Sequence, residues 1–185
     1  MDENNQGFLS MLTKTKKYRD LYKTIEGKIS ILGAIVLSIF ISKYLMIMPL
    51  NDLNDLLVDL ALTFIPCLIA LLGVTFTGLA FVSGTVSLKA TEHLFKEDKI
   101  KNLKSIFFTF YFLGWITAIA IFLYIIIFIA GISDMGINCW KAYILCVLTV
   151  YLTLFIILYT VGLFDTCIKI FFVNYKYTKR KMTIN

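Results

Sequence analysis

Four long runs of apolar residues, separated by short polar segments, constrain this chain more than any other feature of its sequence. The runs cover about residues 29–48, 60–88, 106–132 and 142–164. The hydrocarbon core of a bilayer is about 30 Å thick, and about 20 helical residues cross it. Each run is therefore long enough to be a membrane-spanning helix, and we predict a polytopic membrane protein with four transmembrane helices.

The composition favours membrane helices over a soluble domain or a membrane β-barrel. Of the 185 residues, 59% are hydrophobic and 16% are charged, whereas soluble domains have about 45–50% apolar and about 25% charged residues. A single soluble core does not enclose so much apolar surface. The apolar runs are continuous rather than alternating, which excludes the strand pattern of a membrane barrel. The predicted fold class is all-α.

The positions of the basic residues predict which side of the membrane each polar segment occupies. Sixteen of the 18 Lys and Arg residues lie before the first run, between the second and third runs, or at and beyond the end of the fourth. The other two, Lys43 and Lys141, lie toward helix ends on the opposite side. By the positive-inside rule, both termini and the middle loop are cytoplasmic. We therefore predict an N-in, C-in protein with Asp52, Asp55 and Asp59 in its first outer loop.

These predictions divide the chain into three parts. Residues 1–28 form a cytoplasmic amphipathic basic segment, residues 29–173 hold the four-helix transmembrane domain, and residues 174–185 form a basic cytoplasmic tail. Residues 89–104 contain no glycine or proline. We predict that they form a short cytoplasmic helical hairpin, which extends the second and third spans beyond the membrane.

The N-terminal segment has a helical pattern of its own. Phe8, Met11, Tyr18, Tyr22 and Ile25 fall on one face, and basic residues fill the opposite face. Such a helix lies among lipid headgroups, docks a cytoplasmic protein or covers its own bundle, and the sequence leaves these alternatives open. The basic residues predicted to contact lipid or a partner, in all three cytoplasmic segments, are Lys14, Lys16, Lys17, Arg19, Lys23, Lys96, Lys99, Lys101, Lys179, Arg180 and Lys181.

Strips of small residues are the sharpest motif inside the predicted spans. In the second run they recur at steps of three and four: Ala70, Gly73, Thr77, Ala80, Gly84 and Ser87. In the first run they recur at every fourth position: Ser30, Ala34, Ser38 and Ser42. Small side chains let helix backbones approach closely, which matters because lipid supplies no hydrophobic effect between helices. The strips serve contacts within the bundle, a subunit interface or a pore lining, and the sequence does not choose between these.

The spans carry little that is typical of transport or catalysis. No Asp, Glu, Lys, Arg or His lies in residues 31–42, 60–88 or 106–133, and such groups are the usual mark of a transport pathway. The single histidine makes no zinc-site pattern, and no catalytic motif occurs. We predict no enzyme activity, no cofactor, no metal and no direct nucleic-acid binding. Asp165 and Lys169 are predicted to form an ion pair at the membrane interface.

The arrangement as a whole resembles a known family. A basic N-terminal helix precedes four spans, and the second span, residues 68–87, reads LIALLGVTFTGLAFVSGTVS and leads into the charged hairpin. In size and topology the chain is similar to the small four-helix membrane subunits of bacterial anti-phage defence systems, of the Kiwa type. The resemblance covers most of the chain. It implies a homo-oligomer of the bacterial inner membrane that senses phage-induced membrane disturbance and holds a cytoplasmic effector, and it carries over no catalytic residues.

Two main functions follow from these observations. The first is a non-enzymatic sensor or scaffold that contacts membrane lipids, self-associates and recruits a cytoplasmic protein, because nearly all of its polar surface lies on one side. The second is an oligomeric pore- or channel-forming effector, in which hydroxyl-bearing residues of the second span line a lumen. A transporter-accessory or immunity subunit is a further alternative.

Overall fold

The computed structural model describes residues 17–47, 50–85, 100–132 and 139–182, and each of these residues except Thr24 lies in a helix. This confirms the predicted all-α fold class. After one 3-10 turn, the helices are α1 (Asp20–Lys23), α2 (Ile25–Ile47), α3 (Leu50–Thr85), α4 (Ile100–Ile132) and α5 (Cys139–Met182).

Four of the helices, α2 to α5, contain a stretch that is long and apolar enough to cross a membrane. By length and composition, these stretches are Ile25–Lys43, Asn54–Gly84, Ser105–Ile132 and Trp140–Lys169. They overlap the four apolar runs, so four candidate spans are confirmed among the described residues. The side of the membrane on which each terminus lies stays a prediction from the basic residues.

The start of α3 differs from the prediction. Asp52, Asp55 and Asp59, expected in an outer loop, lie within this helix. Their side chains are exposed, whereas Leu57 from the same turns is only 3% exposed. Steps of three and four residues place the carboxylates on one helix face. The prediction missed these turns because it counted only uninterrupted apolar sequence as membrane helix.

The longest helix is α5, with 44 residues from Cys139 to Met182. At 1.5 Å per residue it is about 66 Å long, which is about twice the hydrocarbon thickness of a bilayer. It therefore extends well beyond the membrane, and the predicted basic tail continues the helix as far as Met182. The predicted hairpin is described only from Ile100, where α4 begins, and its turn lies outside the described residues.

The bundle is organised around α5, which contacts α2, α3 and α4. The most extensive contacts of α2 are with α5, and those of α3 are with α4. Among the core side chains with 2% exposure or less are Leu68, Val82, Leu113, Ile127, Phe155 and Ile156. Because lipid is as apolar as these side chains, they stabilise the bundle through close contact and dispersion rather than through removal of water.

Two glycines determine how closely α3 and α4 approach. A Cβ added to Gly131 of α4 would lie 2.9 Å from Val58 Cγ2 and 3.1 Å from Asn54 O. A Cβ added to Gly78 of α3 would lie 3.0 Å from Cε1 of Phe110. At Gly131 a larger side chain would meet backbone and push the two helices apart, whereas at Gly78 it would displace the Phe110 ring.

Candidate functional site

The small-residue strip of the second span faces away from the other described helices. Five of its residues are exposed: Ala70, Gly73, Thr77, Ala80 and Gly84. A Cβ added to Gly73 or Gly84 would have no neighbour within 4 Å. The sixth residue, Ser87, lies outside the described residues. Contacts among the described residues therefore do not account for the strip.

The opposite face of α3 packs against the bundle. Leu68, Thr75 and Val82 are 1%, 5% and 0% exposed, and they lie seven residues apart. A step of seven residues returns to nearly the same face of a helix, and the strip lies about half a turn away from that face. The face toward the bundle thus carries Leu68, Thr75 and Val82, and the strip of small residues faces outward.

Larger side chains flank the strip on both sides. At 100° per residue, Ile69 and Phe76 project along one edge, and Val74 and Phe81 project along the other. All four side chains are exposed. The strip is therefore the floor of a shallow groove, which we call the α3 groove. A second helix fits such a groove when two backbones approach closely.

The hydroxyl groups at the α3 groove bond to their own helix. Thr77 Oγ1 donates to Gly73 O at 2.9 Å, and Ser83 Oγ donates to Ala80 O at 2.8 Å. No hydroxyl proton of these two residues is left without an acceptor. The groove can therefore face either lipid or protein without leaving an unsatisfied donor in an apolar medium.

The strip of the first span has the opposite orientation. Ser30 and Ala34 are 0% and 5% exposed, and a Cβ added to Gly33 would lie 3.0 Å from Leu154 Cδ1 of α5. Ser38 and Ser42 are half-buried. In α5, small side chains are likewise buried: Ala142, Cys146, Thr149 and Thr153. The buried members of these two strips lie at helix contacts inside the chain.

The described part of the N-terminal segment folds back onto α5. The Tyr159 hydroxyl donates to Asp20 Oδ2 at 2.9 Å, and the Tyr151 hydroxyl donates to Leu21 O at 2.7 Å. Lys17 Nζ forms an ion pair with the same Asp20 oxygen at 3.0 Å. We call these five residues the α1–α5 cluster.

A break at Thr24 makes this arrangement possible. Thr24 has an extended backbone, with ψ of 162°, and its Oγ1 accepts from Gly27 N at 3.2 Å, as an N-cap of α2. The same hydroxyl donates to Asp20 O at 2.6 Å. A Cβ added to Gly27 would overlap Leu21 O and lie 2.7 Å from Asp20 O. Glycine at this position therefore lets α1 lie against the first turn of α2.

The continuous amphipathic helix expected through Ile25 is thus interrupted at Thr24. Tyr18, Tyr22 and Ile25, which formed its expected apolar face, are 43%, 47% and 74% exposed. The segment instead turns Asp20 toward the bundle, because the phenol groups of α5 need polar partners in an apolar medium. The more N-terminal part of the pattern, with Phe8 and Met11, lies outside the described residues.

The α1–α5 cluster lies within the membrane-spanning length of α5. Measured along the helix axis, Tyr159 is about 15 Å from Lys169 and Tyr151 is about 17 Å from Trp140, the two ends of that span. The side chains of Lys17 and Asp20 are only 20% and 22% exposed. The fold therefore places two charged side chains, Lys17 and Asp20, against a stretch of α5 that contains no charged residue. Charged groups at membrane depth are usually paired, as these two are.

Two further charged groups belong to this region. Arg19 Nε is buried and has no hydrogen-bond partner among the described residues. The Glu26 carboxylate lies over Gly162, because a Cβ added there would be 3.2 Å from Glu26 Oε1. The contact surface between the N-terminal segment and α5 therefore carries both signs of charge.

The remaining predicted residues are the ion pair and the other basic side chains. Asp165 and Lys169 form an ion pair, and both side chains are well exposed. Lys23 is exposed. The side chains of the other predicted basic contacts lie outside the part that the structure describes: Lys14, Lys16, Lys96, Lys99, Lys101, Lys179, Arg180 and Lys181.

Candidate ligands for metals or redox chemistry are sparse in the described ranges. Within them, no group of three or more His, Cys, Asp or Glu residues could hold a metal ion. Three cysteines there are free, of which Cys67 is exposed and Cys146 and Cys167 are buried. The α3 groove and the α1–α5 cluster are therefore the candidate functional features of the described residues. Comparison of the chain with protein-family models, with curated proteins and with solved structures found no match.

Proposed function

We propose that this chain is a non-enzymatic membrane sensor or scaffold subunit that forms a homo-oligomer and recruits a cytoplasmic protein. One observation carries the proposal: the small-residue strip of α3 is exposed, although the opposite face of the same helix packs into the bundle. The resemblance noted above supplies the setting, which is anti-phage defence at the bacterial inner membrane.

A second copy of the chain is the occupant that best fits the α3 groove. The strip contains two pairs of small residues at i and i+4, Gly73 with Thr77 and Ala80 with Gly84. Paired helices of this type bring their backbones together without a hydrophobic driving force. Because two identical strips are complementary to each other, a symmetric contact between copies satisfies both at once.

The cytoplasmic surface supports recruitment of an acidic protein. α5 continues to Met182, so Lys176, Lys179, Arg180 and Lys181 lie on a helix that leaves the membrane. We place this end of α5 in the cytoplasm on the basis of the distribution of basic residues. A rigid basic extension attracts a partner of opposite charge and orients it.

Self-association is tested by a pair of matched substitutions. Ala80→Leu fills the α3 groove, whereas Ala118→Leu adds the same side chain to an exposed position of α4. We expect the first variant alone to lower the particle mass of the purified protein in nanodiscs. An unchanged mass for Ala80→Leu would contradict the proposed interface.

Recruitment is tested by purification from solubilised cells. The full chain should recover a soluble protein in stoichiometric amount, and a chain ending at Asn174 should lose it. Recovery of this chain alone, with and without residues 1–28, would contradict the scaffold function while leaving the oligomer intact.

The exposed hydroxyl of Thr77 in the α3 groove favours one second candidate, an oligomeric pore. In that arrangement the groove lines a water-filled lumen instead of forming a dry contact between two helices. Ion flux into liposomes separates the two functions. Flux that Ala80→Leu abolishes and Ala118→Leu leaves intact would support the pore, and silent liposomes that contain the intact oligomer would exclude it.

A further inference from the structure

A cavity of about 360 Å³ lies among α2, α3, α4 and α5. Phe40 and Ile41 of α2 and Leu57 and Leu60 of α3 form its walls, and it reaches Thr149 of α5. Protein ligand sites typically measure about 300–1,000 Å³ and are mostly apolar, and an apolar cavity of about 150 Å³ already binds benzene. The cavity is thus large enough to hold a substantial apolar group.

The polar groups beside the cavity already have partners in the protein. The hydroxyls of Tyr124 and Thr153 share a hydrogen bond of 3.1 Å. Thr149 Oγ1 donates to the carbonyl oxygens of Leu145 and Cys146, each at 3.0 Å. A buried water needs two to four polar partners. An apolar occupant therefore suits this cavity better than water does.

The cavity opens toward the lipid. α2 rests on α5 and, among the described residues, makes at most slight contact with α3, so a gap separates the described parts of these two helices. Phe40 at the cavity is 67% exposed. Phe40 and Leu60 both lie inside candidate spans, Ile25–Lys43 and Asn54–Gly84. The opening is therefore at membrane depth, where the surrounding molecules are lipid chains.

A positive charge beyond the opening matches a lipid phosphate. Lys43 follows Phe40 by three residues, close to one turn of α2, and it ends the first span. Its side chain is exposed, and a lysine ammonium complements a lipid phosphate.

We infer that this cavity binds one acyl chain of a membrane phospholipid, whose phosphate lies near Lys43. An empty cavity of this size would leave its lining without dispersion contacts on one side. A lipid chain restores those contacts directly from the surrounding bilayer. The inference requires neither the oligomer nor the cytoplasmic partner proposed above, so each can fail without the other.

The test uses a phosphatidylethanolamine that carries a photoreactive diazirine in its acyl chain. The full protein is reconstituted with this probe and irradiated, and the labelled residues are mapped by mass spectrometry. We expect labelling at Leu60 and Thr149 in the cavity above the level found at Leu62 and Ile69, which face outward on α3.

Two variants fill the cavity from different walls, and one matched variant does not. Leu60→Trp and Ile41→Trp should each abolish the labelling at Thr149, whereas Leu62→Trp at an exposed position of α3 should leave it unchanged. Lys43→Gln should lower the labelling as well. The two filling variants keep the test valid if one of them does not fold.

Three outcomes would overturn the inference. Equal labelling of cavity and outward residues would mean that only surrounding lipid is detected. Labelling at Thr149 that survives both Leu60→Trp and Ile41→Trp would place the lipid elsewhere. Labelling that appears only after removal of residues 2–16 would assign the cavity to the chain's own N-terminal segment.

Discussion

The hydroxyl of Tyr159 donates a 2.9 Å hydrogen bond to the carboxylate of Asp20, although the two residues are 139 positions apart in the chain. This bond joins the N-terminal segment to the membrane-spanning part of α5. Neither residue belongs to a recognisable motif, and only the fold brings them together. A displacement of α5 relative to α2 would therefore change the position of the N-terminal segment.

Tyr159→Phe should release α1 from α5. The substitution removes the hydroxyl and keeps the ring, which stacks on Phe155 with a centroid distance of 5.0 Å. A hydrogen bond to a charged group contributes about 1.5–3 kcal/mol, and about 1.4 kcal/mol is a tenfold change in an equilibrium. We expect amide hydrogen exchange in Asp20–Lys23 to increase at least tenfold, as measured by mass spectrometry.

Tyr143→Phe is the matched control for this substitution. Tyr143 lies in the same helix near its opposite end, where its ring packs beside Trp140 at a centroid distance of 6.0 Å. Exchange in Asp20–Lys23 should stay at the wild-type rate in this variant. If Tyr159→Phe also left that rate unchanged, the bond would not be holding α1 in place.

Gly27→Ala should displace α1 from the first turn of α2. The added Cβ would overlap Leu21 O and lie 2.7 Å from Asp20 O, and both are backbone atoms that move only with the segment. Overpacking of this kind costs about 1–3 kcal/mol. Protease cleavage after Lys23 should become faster in detergent solution.

The control for Gly27→Ala is Gly73→Ala in α3. An added Cβ at Gly73 meets nothing within 4 Å, and alanine favours a helix over glycine by about 1 kcal/mol. Under conditions that keep the protein monomeric, this variant should be at least as stable as the wild type. Equal cleavage rates in the two variants would contradict the close approach at Gly27.

Phe155→Ala should destabilise the bundle far more than Phe122→Ala. Phe155 is 0% exposed at the centre of α5, and Phe122 is 63% exposed on α4. Truncation of a buried Phe costs about 3–5 kcal/mol in water, but lipid does not supply the transfer part of that value, so we expect about 2–3 kcal/mol here. The midpoint of unfolding in SDS measures the difference, and similar midpoints for both variants would contradict the assigned core.

The predicted orientation is testable with single cysteines in a chain that lacks its own. A membrane-impermeant maleimide should label Lys179→Cys from the cytoplasmic side only. It should label Lys141→Cys from the other side, because that residue is exposed near the opposite end of α5. Labelling of Lys141→Cys from the cytoplasm would reverse the topology derived from the positive-inside rule.

The number of spans and their helical structure could be predicted from the sequence, because the length of an apolar run is a local property. A run such as residues 106–132 exceeds the thickness of the bilayer wherever its neighbours lie. The helical content follows too, since backbone polar groups in lipid must bond within their own segment. The starts and ends of the helices were harder to predict. Asp52 and Asp55 are polar and were assigned to a loop, yet they lie on the exposed face of α3.

The use of each small-residue strip was decided only by the tertiary structure. The strips around Ser38 and Thr77 look alike in sequence, but the first begins buried against α5 and the second lies on the outer face of α3. The difference arises because larger residues of α3, such as Leu68 and Val82, fill its contact with the bundle. Which face of an apolar helix turns inward depends on its neighbours, and a lipid-facing residue is as apolar as a buried one.

By itself, then, the sequence determined that this chain is helical and has four stretches able to cross a membrane. The tertiary structure alone decided that Asp20 meets Tyr159, that a break at Thr24 turns α1 against α2, and that the α3 groove faces outward. The physical reason is the range of the interactions. Crossing a bilayer requires only consecutive apolar residues, whereas a hydrogen bond across 139 positions exists only when the whole bundle has placed both partners.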